Sequence, residues 1–239
     1  MRQLISALFS PFALMGRTEV RGEVPSAQEV YKTAFDIAWP SVVETVLVGL
    51  IASVDTMMVG GIGAEAIAAV GLTTQPKLIV LAMVMSLNVG VTVISARRRG
   101  ENDKLGANRC LRQSLIISLV MSLFTVSLAF VYARKVLLLA GAQPDTVDMA
   151  TIYFQIMLLG MPFQCLGLTI NAAQRGCGNT KISMRTNLAA NGVNLLFNYL
   201  LINGIGPFPE MGVAGAATAT AMGSVVAFLM AVKSILEPS

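Results

Sequence analysis

The sequence has 239 residues, of which 55% are apolar and 13% are charged, and its mean hydropathy is +0.71. Soluble domains carry about 25% charged residues, so this composition excludes an ordinary soluble domain. The net charge is +4 and the chain has no histidine, which excludes a histidine-based catalytic triad and a zinc-protease motif. The sequence contains no phosphate-binding loop or dinucleotide fingerprint either, and we therefore expect no enzyme.

Apolar residues fall in six long blocks, at 36–58, 68–96, 111–133, 150–172, 184–206 and 212–234. A helix that crosses a bilayer needs about 20 mostly apolar residues, and a backbone in lipid must satisfy its own hydrogen bonds. Segments of about 10 alternating residues, which are typical of a membrane barrel, are not found. The sequence therefore predicts an all-α membrane protein, a bundle of six transmembrane helices.

Basic residues concentrate at alternate ends of these blocks, as the positive-inside rule describes. The link between the first two blocks holds none, whereas the next link holds Arg97, Arg98, Arg99, Lys104, Arg109 and Arg112. This alternation predicts a protein of the cell membrane with both termini in the cytoplasm. The same pattern accounts for the positive net charge, because the basic residues lie next to membrane lipids. We therefore expect no nucleic-acid partner.

Three regions follow from this pattern along the chain. We expect residues 1–33 to be a cytoplasmic N-terminal segment, 34–236 to be the six-helix lobe, and 237–239 to be a cytoplasmic tail. The start of the chain mimics a signal peptide, but cleavage would export the basic stretch that follows, so an uncleaved segment is preferred. A position of that segment on the inner membrane face is an open alternative. Short glycine-rich turns between the blocks make consecutive helices antiparallel neighbours.

The first block carries three carboxylates, Asp36, Glu44 and Asp55. Carboxylates within a span are costly and usually face a wet interior or a partner. Asp36 is interpreted as marking the cytoplasmic edge. Glu44 and Asp55 are eleven residues apart, about three helical turns, so they share one face of the helix. Asp55 is the stronger candidate for a functional role.

The second block contains a polar stretch that includes Gln75 and Lys77. Such polarity at membrane depth is tolerated where it lines a cavity or faces protein. A turn near Gly61 brings position 77 level with positions 45 to 47, so Lys77 is predicted to pair with Glu44. A structural pair and a gate are both open interpretations.

The fifth block carries four asparagines, Asn187, Asn191, Asn194 and Asn198, with spacings of 4, 3 and 4. This spacing places them on one face of a helix. Amides coordinate cations and bind organic compounds, but they also join helices. For Asn187, binding and helix joining are given equal weight, whereas a binding role is favoured for the deeper Asn194 and Asn198.

The sixth block has a face of small residues, which predicts close helix packing and no site. These residues are Gly212, Gly215, Ala216, Ala219 and Gly223. The three cysteines have no metal-ligand spacing and are expected to be inert apolar residues.

Several stretches together resemble the multidrug and toxin extrusion (MATE) transporters. They are 40–71 (PSVVETVLVGLIASVDTMMVGGIGAEAIAAVG), 88–90 (NVG), 96–100 (ARRRG), 174–181 (QRGCGNTK), 191–202 (NGVNLLFNYLLI) and 212–220 (GVAGAATAT). No single stretch is decisive, but their order and spacing are specific. The resemblance covers nearly everything after the N-terminal segment.

The resemblance implies one lobe of a twelve-helix transporter that exchanges Na⁺ or H⁺ for cationic amphipathic drugs or toxins. The acid that the family ties to cation coupling falls on Asp55, and polar residues of the same site fall on Asn194 and Asn198. Some members carry an acid where Asn198 stands. The expected site consists of Asp55, Asn194, Asn198, Asn191, Glu44, Gln75 and Lys77. A Na⁺ near Asp55 is one option for the coupling ion, and no resident metal or other cofactor is expected.

The chain ends after the sixth predicted helix, where members of the family continue into a second lobe. A half-length antiporter, acting with a second six-helix lobe or as a homodimer, is the leading hypothesis. The alternatives are a truncated lobe that serves only as an assembly partner and a flippase for lipid-linked sugars. The substrate, the choice of coupling ion and the oligomeric state are left open by the sequence.

Overall fold

The computed structural model describes residues 26–236 of the chain. These residues form α1 (Ala27–Gly60), α2 (Ala64–Gly100), α3 (Lys104–Val131), α4 (Ala133–Leu139), α5 (Val147–Gly176), α6 (Thr180–Asn203) and α7 (Gly212–Leu236). The described residues contain no strand, and the predicted all-α class is confirmed. The six long helices correspond to the six predicted blocks. The expectations for residues 1–25 and 237–239 lie outside the described residues.

The first helix begins well before the predicted block because Ser26 and Glu29 form a capping box. Ser26 Oγ accepts a 3.3 Å hydrogen bond from the Glu29 N–H, and Glu29 Oε2 accepts a 2.9 Å bond from the Ser26 N–H. This reciprocal pair satisfies two amides that a helix start leaves open. Residues 27–33, assigned to the N-terminal segment from the sequence, are therefore the first turns of α1.

The third predicted block lies within α3 except for its last two residues, and a short helix follows it. α3 ends at Val131, and Tyr132 separates it from the short α4. Within α4, Leu137 is fully buried, while Arg134 forms an exposed 3.0 Å ion pair with Asp148 at the start of α5. α4 closes this end of the bundle, and it was not predicted because its 7 residues are too few to show a period.

Five of the six long helices are long and apolar enough to cross a membrane, and α6 is the exception. α6 has 24 residues, about 36 Å at the rise of an α-helix, but its five asparagines, Lys181 and Arg185 lower its hydropathy. α6 packs against both α1 and α7. Its polar face therefore meets protein, which is where polar residues in membrane helices are found. The described chain is a multi-pass membrane protein.

The long helices form an open ring. α7 packs between α5 and α6, α5 packs against α2 and α3, and α1 lies along α6. α5 forms the centre of the bundle, and its Phe154, Leu158 and Met161 are at most 1% exposed. α1 and α2 make little contact beyond their connecting turn. This arrangement leaves an opening between α1 and α2 that leads to the interior.

α7 approaches its neighbours through small residues, as the sequence predicts. A Cβ at Gly215 would lie 2.7 Å from the carbonyl oxygen of Leu201, and one at Gly223 would lie 2.9 Å from that of Ala190. On the opposite side, a Cβ at Gly160 of α5 would lie 2.7 Å from the α7 backbone. The predicted close packing is confirmed, and it holds α5 and α6 tightly against α7.

The turn between α2 and α3 is held by charged side chains. Arg97 Nε donates to Glu101 Oε1 at 2.9 Å, and Arg98 lies 3.0 Å from Glu101 and 3.3 Å from Asp103. The hydrogen bond from Arg97 is the main cause that lowers the pKa of Glu101 from its ordinary value. Asp103 also caps α3, since its Oδ1 accepts a 2.8 Å bond from the Gly106 N–H. These exposed pairs add little stability, and their main effect is to define the turn.

Candidate cation and substrate site

Two carboxylates of α1 bond to asparagines of α6. Asn198 Nδ2 donates to Asp55 Oδ1 at 2.7 Å, and Asn187 Nδ2 donates to Glu44 Oε1. Each pair is separated by 143 positions in the chain. α1 and α6 therefore run in the same direction and stay in register. The face that Glu44 and Asp55 were predicted to share is the face that α1 turns toward α6.

Asn194 has two ways to face Asp55. With its nitrogen toward the carboxylate, Asn194 Nδ2 lies 2.9 Å from Oδ2 and 3.2 Å from Oδ1, and its own oxygen accepts from the Thr220 N–H at 3.1 Å. With its oxygen toward the carboxylate, Asn194 Nδ2 donates to the Thr220 hydroxyl at 3.2 Å. The first orientation satisfies an ionised Asp55. The second brings oxygen against oxygen, which is favourable only with a proton or a cation between them.

The site also contains an oxygen without a partner. Asn198 Oδ1 is buried and has no hydrogen bond among the described residues. Carboxylate and amide oxygens are the ligands that a hard cation such as Na⁺ prefers, but in the structure Asn198 turns its nitrogen, and not Oδ1, toward Asp55. These oxygens suit a hard cation once the Asn198 and Asn194 amides turn them toward Asp55. Asp55 is the charged residue of this group.

Two cavities border Asp55. The larger, about 340 Å³, has walls from α5, α6 and α7 and includes Lys77 of α2. The smaller, about 190 Å³, lies nearer the turn between α1 and α2 and includes Thr74 and Asn198. Tyr153 and Thr220 line both cavities. A cavity of a few hundred Å³ with a few convergent polar groups is typical of a small-molecule site.

The predicted pair between Lys77 and Glu44 is wrong. Among the described residues, Lys77 forms no ion pair. It lines the larger cavity and interacts electrostatically with the Asp55 carboxylate. One reason is that α1 lies along α6, so that the Glu44 carboxylate accepts a hydrogen bond from Asn187. The other is that a helical side chain slants toward the N-terminus of its own helix, which carries Lys77 toward the level of Asp55. An unpaired lysine in a span costs about 3 kcal/mol, so its retention needs an explanation.

The other predicted site residues divide between the cavity and the surface. Asn191 is half-buried and lines the larger cavity. Gln75 is exposed and is not among the residues that line either cavity. Two positions along a helix correspond to a rotation of about 200°, so Gln75 and Lys77 cannot face the same space. Asp36 is exposed, in line with its interpretation as an edge residue.

Sequence reasoning missed five polar residues of the larger cavity. They are Tyr153, Gln164, Asn171, Thr220 and Ser224. The first three lie on α5, whose composition is that of an ordinary apolar span. Their intervals of eleven and seven positions place them on one face of a helix. That periodicity is the signal that could have found them.

A bundle of long apolar helices around a polar cavity, with a carboxylate at its wall, has the architecture of a membrane transporter. The chain belongs to the MatE family, because the model of that family matches residues 40–200, more than half of the sequence. The match extends from the middle of α1 through most of α6.

Several named relatives match most of the chain. The uncharacterized transporter YisQ of Bacillus subtilis is 28% identical over 196 residues, which are 82% of this chain and 43% of the relative. The FAD transporter of Shewanella oneidensis is 28% identical over 173 residues, 72% of this chain and 38% of the relative. A probable multidrug resistance protein NorM of Thermotoga maritima is 26% identical over 204 residues, 85% of this chain and 43% of the relative. The chain thus spans less than half the length of these relatives.

Solved transporter structures have the same fold over this region. An outward-facing multidrug resistance MATE family transporter of the MOP superfamily superimposes with a TM-score of 0.79 at 27% identity, covering 86% of this chain and 45% of its own. A MOP superfamily transporter from Pyrococcus furiosus gives the same TM-score and identity, covering 86% and 44%. The fold is therefore that of part of a MATE transporter, within which these helices form one lobe.

Proposed function

We propose that this chain is the lobe of a cation-coupled exporter that exchanges Na⁺ or H⁺ for amphipathic organic compounds. The observation that carries the proposal is the Asp55 carboxylate, which lies within a span, bonds to Asn198 at 2.7 Å and borders both cavities. A carboxylate at membrane depth is a functional-site hypothesis by default. Membership of the MatE family supports the same role.

The coupling ion would act at Asp55 and its amide neighbours. Asn198 donates to the Asp55 carboxylate, and Asn194 also donates to it when its nitrogen faces Asp55. When a proton or Na⁺ neutralises Asp55, the carboxylate attracts the Asn194 nitrogen less strongly. The Asn194 oxygen can then turn toward the carboxylate. These bonds join α1 to α6 at this depth, so neutralisation of Asp55 loosens or re-forms the contact between the two helices. Coupling requires that ion and substrate differ in affinity for the two resulting conformations.

The substrate would enter the larger cavity. The resemblance implies cationic amphipathic drugs or toxins, and several relatives are named multidrug resistance proteins. Another relative is named a FAD transporter, so the named substrates differ among relatives. The polar amides and apolar wall of the cavity suit compounds with an aromatic body and a polar group.

We place this lobe in the cell membrane with the basic end, which includes the turn from Arg97 to Lys104, in the cytoplasm. A second six-helix lobe, or a second copy of the chain, would complete the cavity on the side of α1. α1 supports this arrangement because its apolar face is exposed, with Val46, Leu50 and Met57 at 56%, 60% and 75%. An assembly partner that does not transport is the alternative for a chain that spans less than half of its relatives.

Transport by purified protein in liposomes tests the proposal. The chain, alone and together with a second six-helix lobe, is reconstituted, and flux of the cationic dye rhodamine 123 is recorded under an imposed Na⁺ or pH gradient. Asp55→Asn should abolish the gradient-driven part of the flux, whereas Asp36→Asn, a matched change at an exposed carboxylate of the same helix, should not. Equal flux in Asp55→Asn and the unmodified chain would make Asp55 structural. Absence of flux in every assembly would favour the assembly-partner alternative, and transfer of a lipid-linked sugar would favour a flippase.

A further inference from the structure

The larger cavity has an unusual charge inventory for a site that accepts cations. Its lining contains one carboxylate, Asp55 from α1, and one ammonium, Lys77 from α2. Tyr153 of α5 is the other titratable residue in the lining, and α6 and α7 contribute none. Glu44 is not part of this lining and is already bonded to Asn187. The cavity is therefore formally neutral while Asp55 is ionised, and it is positive when Asp55 is neutralised.

Lys77 has unused binding capacity. Its ammonium offers three hydrogen-bond donors, and within residues 26–236 it makes no ion pair or hydrogen bond. A lysine that served only to stabilise the bundle would be expected to pair, as the carboxylates of α1 do with Asn187 and Asn198. Lys77 is instead oriented into a space of about 340 Å³. Intramembrane ionisable residues that face a cavity mark substrate or ion pathways.

The groups around Lys77 fit an anionic head on an organic body. Asn171 and Asn191 bring amides to the same cavity, and amide nitrogens donate to carboxylate or phosphate oxygens. Asn171 Oδ1 is buried without a partner in the described part of the chain, and as an acceptor it suits a donor group elsewhere on the compound, such as the ammonium of a zwitterion. Val48, Leu168 and Ala227 supply apolar wall.

We propose that Lys77 binds a carboxylate or phosphate group of the transported compound, so that this lobe accepts organic anions or zwitterions. The inference rests on the proposed transport function of the same cavity and names its substrate class.

The charge inventory also sets the sign of the coupling between ion and substrate. A cation at Asp55 removes the negative charge nearest to Lys77, so it strengthens binding of an organic anion. An organic cation would experience the opposite effect, since it would compete for Asp55. Within one conformation this effect is reciprocal and favours joint binding of ion and anion. Exchange therefore requires that the conformation with high affinity for the cation has low affinity for the anion.

Equilibrium binding to the full chain in detergent tests the proposal without requiring transport. Fluorescein and rhodamine 123 share a xanthene ring and differ in the sign of their charge, and their fluorescence anisotropy reports binding. Lys77→Met should weaken fluorescein binding by about tenfold or more, as loss of one partner of a desolvated charge pair does, while rhodamine 123 binding is unchanged or strengthened. Lys77→Arg should retain fluorescein binding, and Asp55→Asn should strengthen it. Lys104→Met, the same change at an exposed lysine outside the cavity, is the matched control.

The outcomes separate this proposal from the transport function. Equal fluorescein affinities in the unmodified chain and Lys77→Met overturn it, and so does a folded chain that binds no fluorescein. Should Lys77→Met not fold, Lys77→Gln gives the same comparison, with folding judged by size-exclusion profile. Gradient-driven flux of rhodamine 123, measured in the same preparations, reports on the transport function independently of fluorescein binding. That flux can persist while the assignment of Lys77 fails, or be lost while fluorescein binding and its dependence on Lys77 remain.

Discussion

Asn198 donates a 2.7 Å hydrogen bond to Asp55, and eleven residues nearer the basic end Asn187 makes the corresponding bond to Glu44. The equal offset means that α6 satisfies the carboxylates of α1 at two depths with one row of amides. The two pairs differ in their surroundings. Asp55 borders both cavities, whereas Glu44 lines only a small crevice with Leu47 and Met184. The deeper pair is therefore available to ions and ligands, and the other pair mainly joins the helices.

Cation binding at Asp55 should be visible as stabilisation. A ligand that binds only the folded state raises its stability by about 2.7 kcal/mol at one hundred times the dissociation constant. We expect Na⁺ at constant ionic strength, or acidification if H⁺ is the coupling ion, to raise the midpoint of thermal unfolding. Asp55→Asn should remove this response and Asp36→Asn should keep it. An identical response in Asp55→Asn would place the bound ion elsewhere.

Double-mutant cycles test whether Glu44 pairs with Asn187 or with Lys77. Asn187→Leu leaves a half-buried carboxylate unsatisfied, which costs about 1–3 kcal/mol of unfolding free energy. Glu44→Gln should relieve most of that cost, so the two changes should be non-additive by about 1 kcal/mol or more. Glu44→Gln and Lys77→Met make no contact and should add within about 0.5 kcal/mol. Strong coupling between Glu44 and Lys77 in unfolding experiments would contradict the arrangement of α1 along α6.

A glycine substitution at the α6–α7 contact and one on the exposed side of α6 should have opposite effects. Gly223→Ala places a Cβ 2.9 Å from the Ala190 carbonyl oxygen and 3.2 Å from Asn194 Cβ, so α7 must move away at a cost of about 1–3 kcal/mol. Gly192→Ala meets nothing within 4 Å and should stabilise α6 by up to about 1 kcal/mol. Because Gly223 contacts Asn194, only the first change should also weaken cation binding. Unfolding in increasing denaturant measures both, and equal stabilities would rule out the close contact.

Membrane orientation follows from the distribution of basic residues and is testable by labelling. Asn102 lies exposed in the turn between α2 and α3, and Gly206 lies exposed in the turn between α6 and α7 at the opposite end. After replacement of the native cysteines, Asn102→Cys should react with an impermeant maleimide only in inverted vesicles, and Gly206→Cys only in intact cells. Labelling of Asn102→Cys from outside intact cells would reverse the topology.

The sequence alone determined the number of long helices, their order and the short turns that join them. Each of these depends on local properties: block length, glycine at turns and the distribution of charge. The same local logic identified Asp55 and the asparagine row, because a helix period can be read directly along one segment. It missed α4, which is too short for a period, and the early start of α1, which depends on a cap of two side chains.

Only the tertiary structure decided which helices are neighbours. Antiparallel packing of α1 on α2 was the natural expectation from their short turn, and it led to the pair between Glu44 and Lys77. In the structure α1 lies along α6 because small residues of α7 hold α6 where its amides meet the carboxylates of α1. That arrangement leaves Lys77 without an ion pair among residues 26–236 and places it with Asp55 in the lining of the larger cavity. A contact between helices far apart in the chain depends on the shapes of both surfaces, which no single segment encodes.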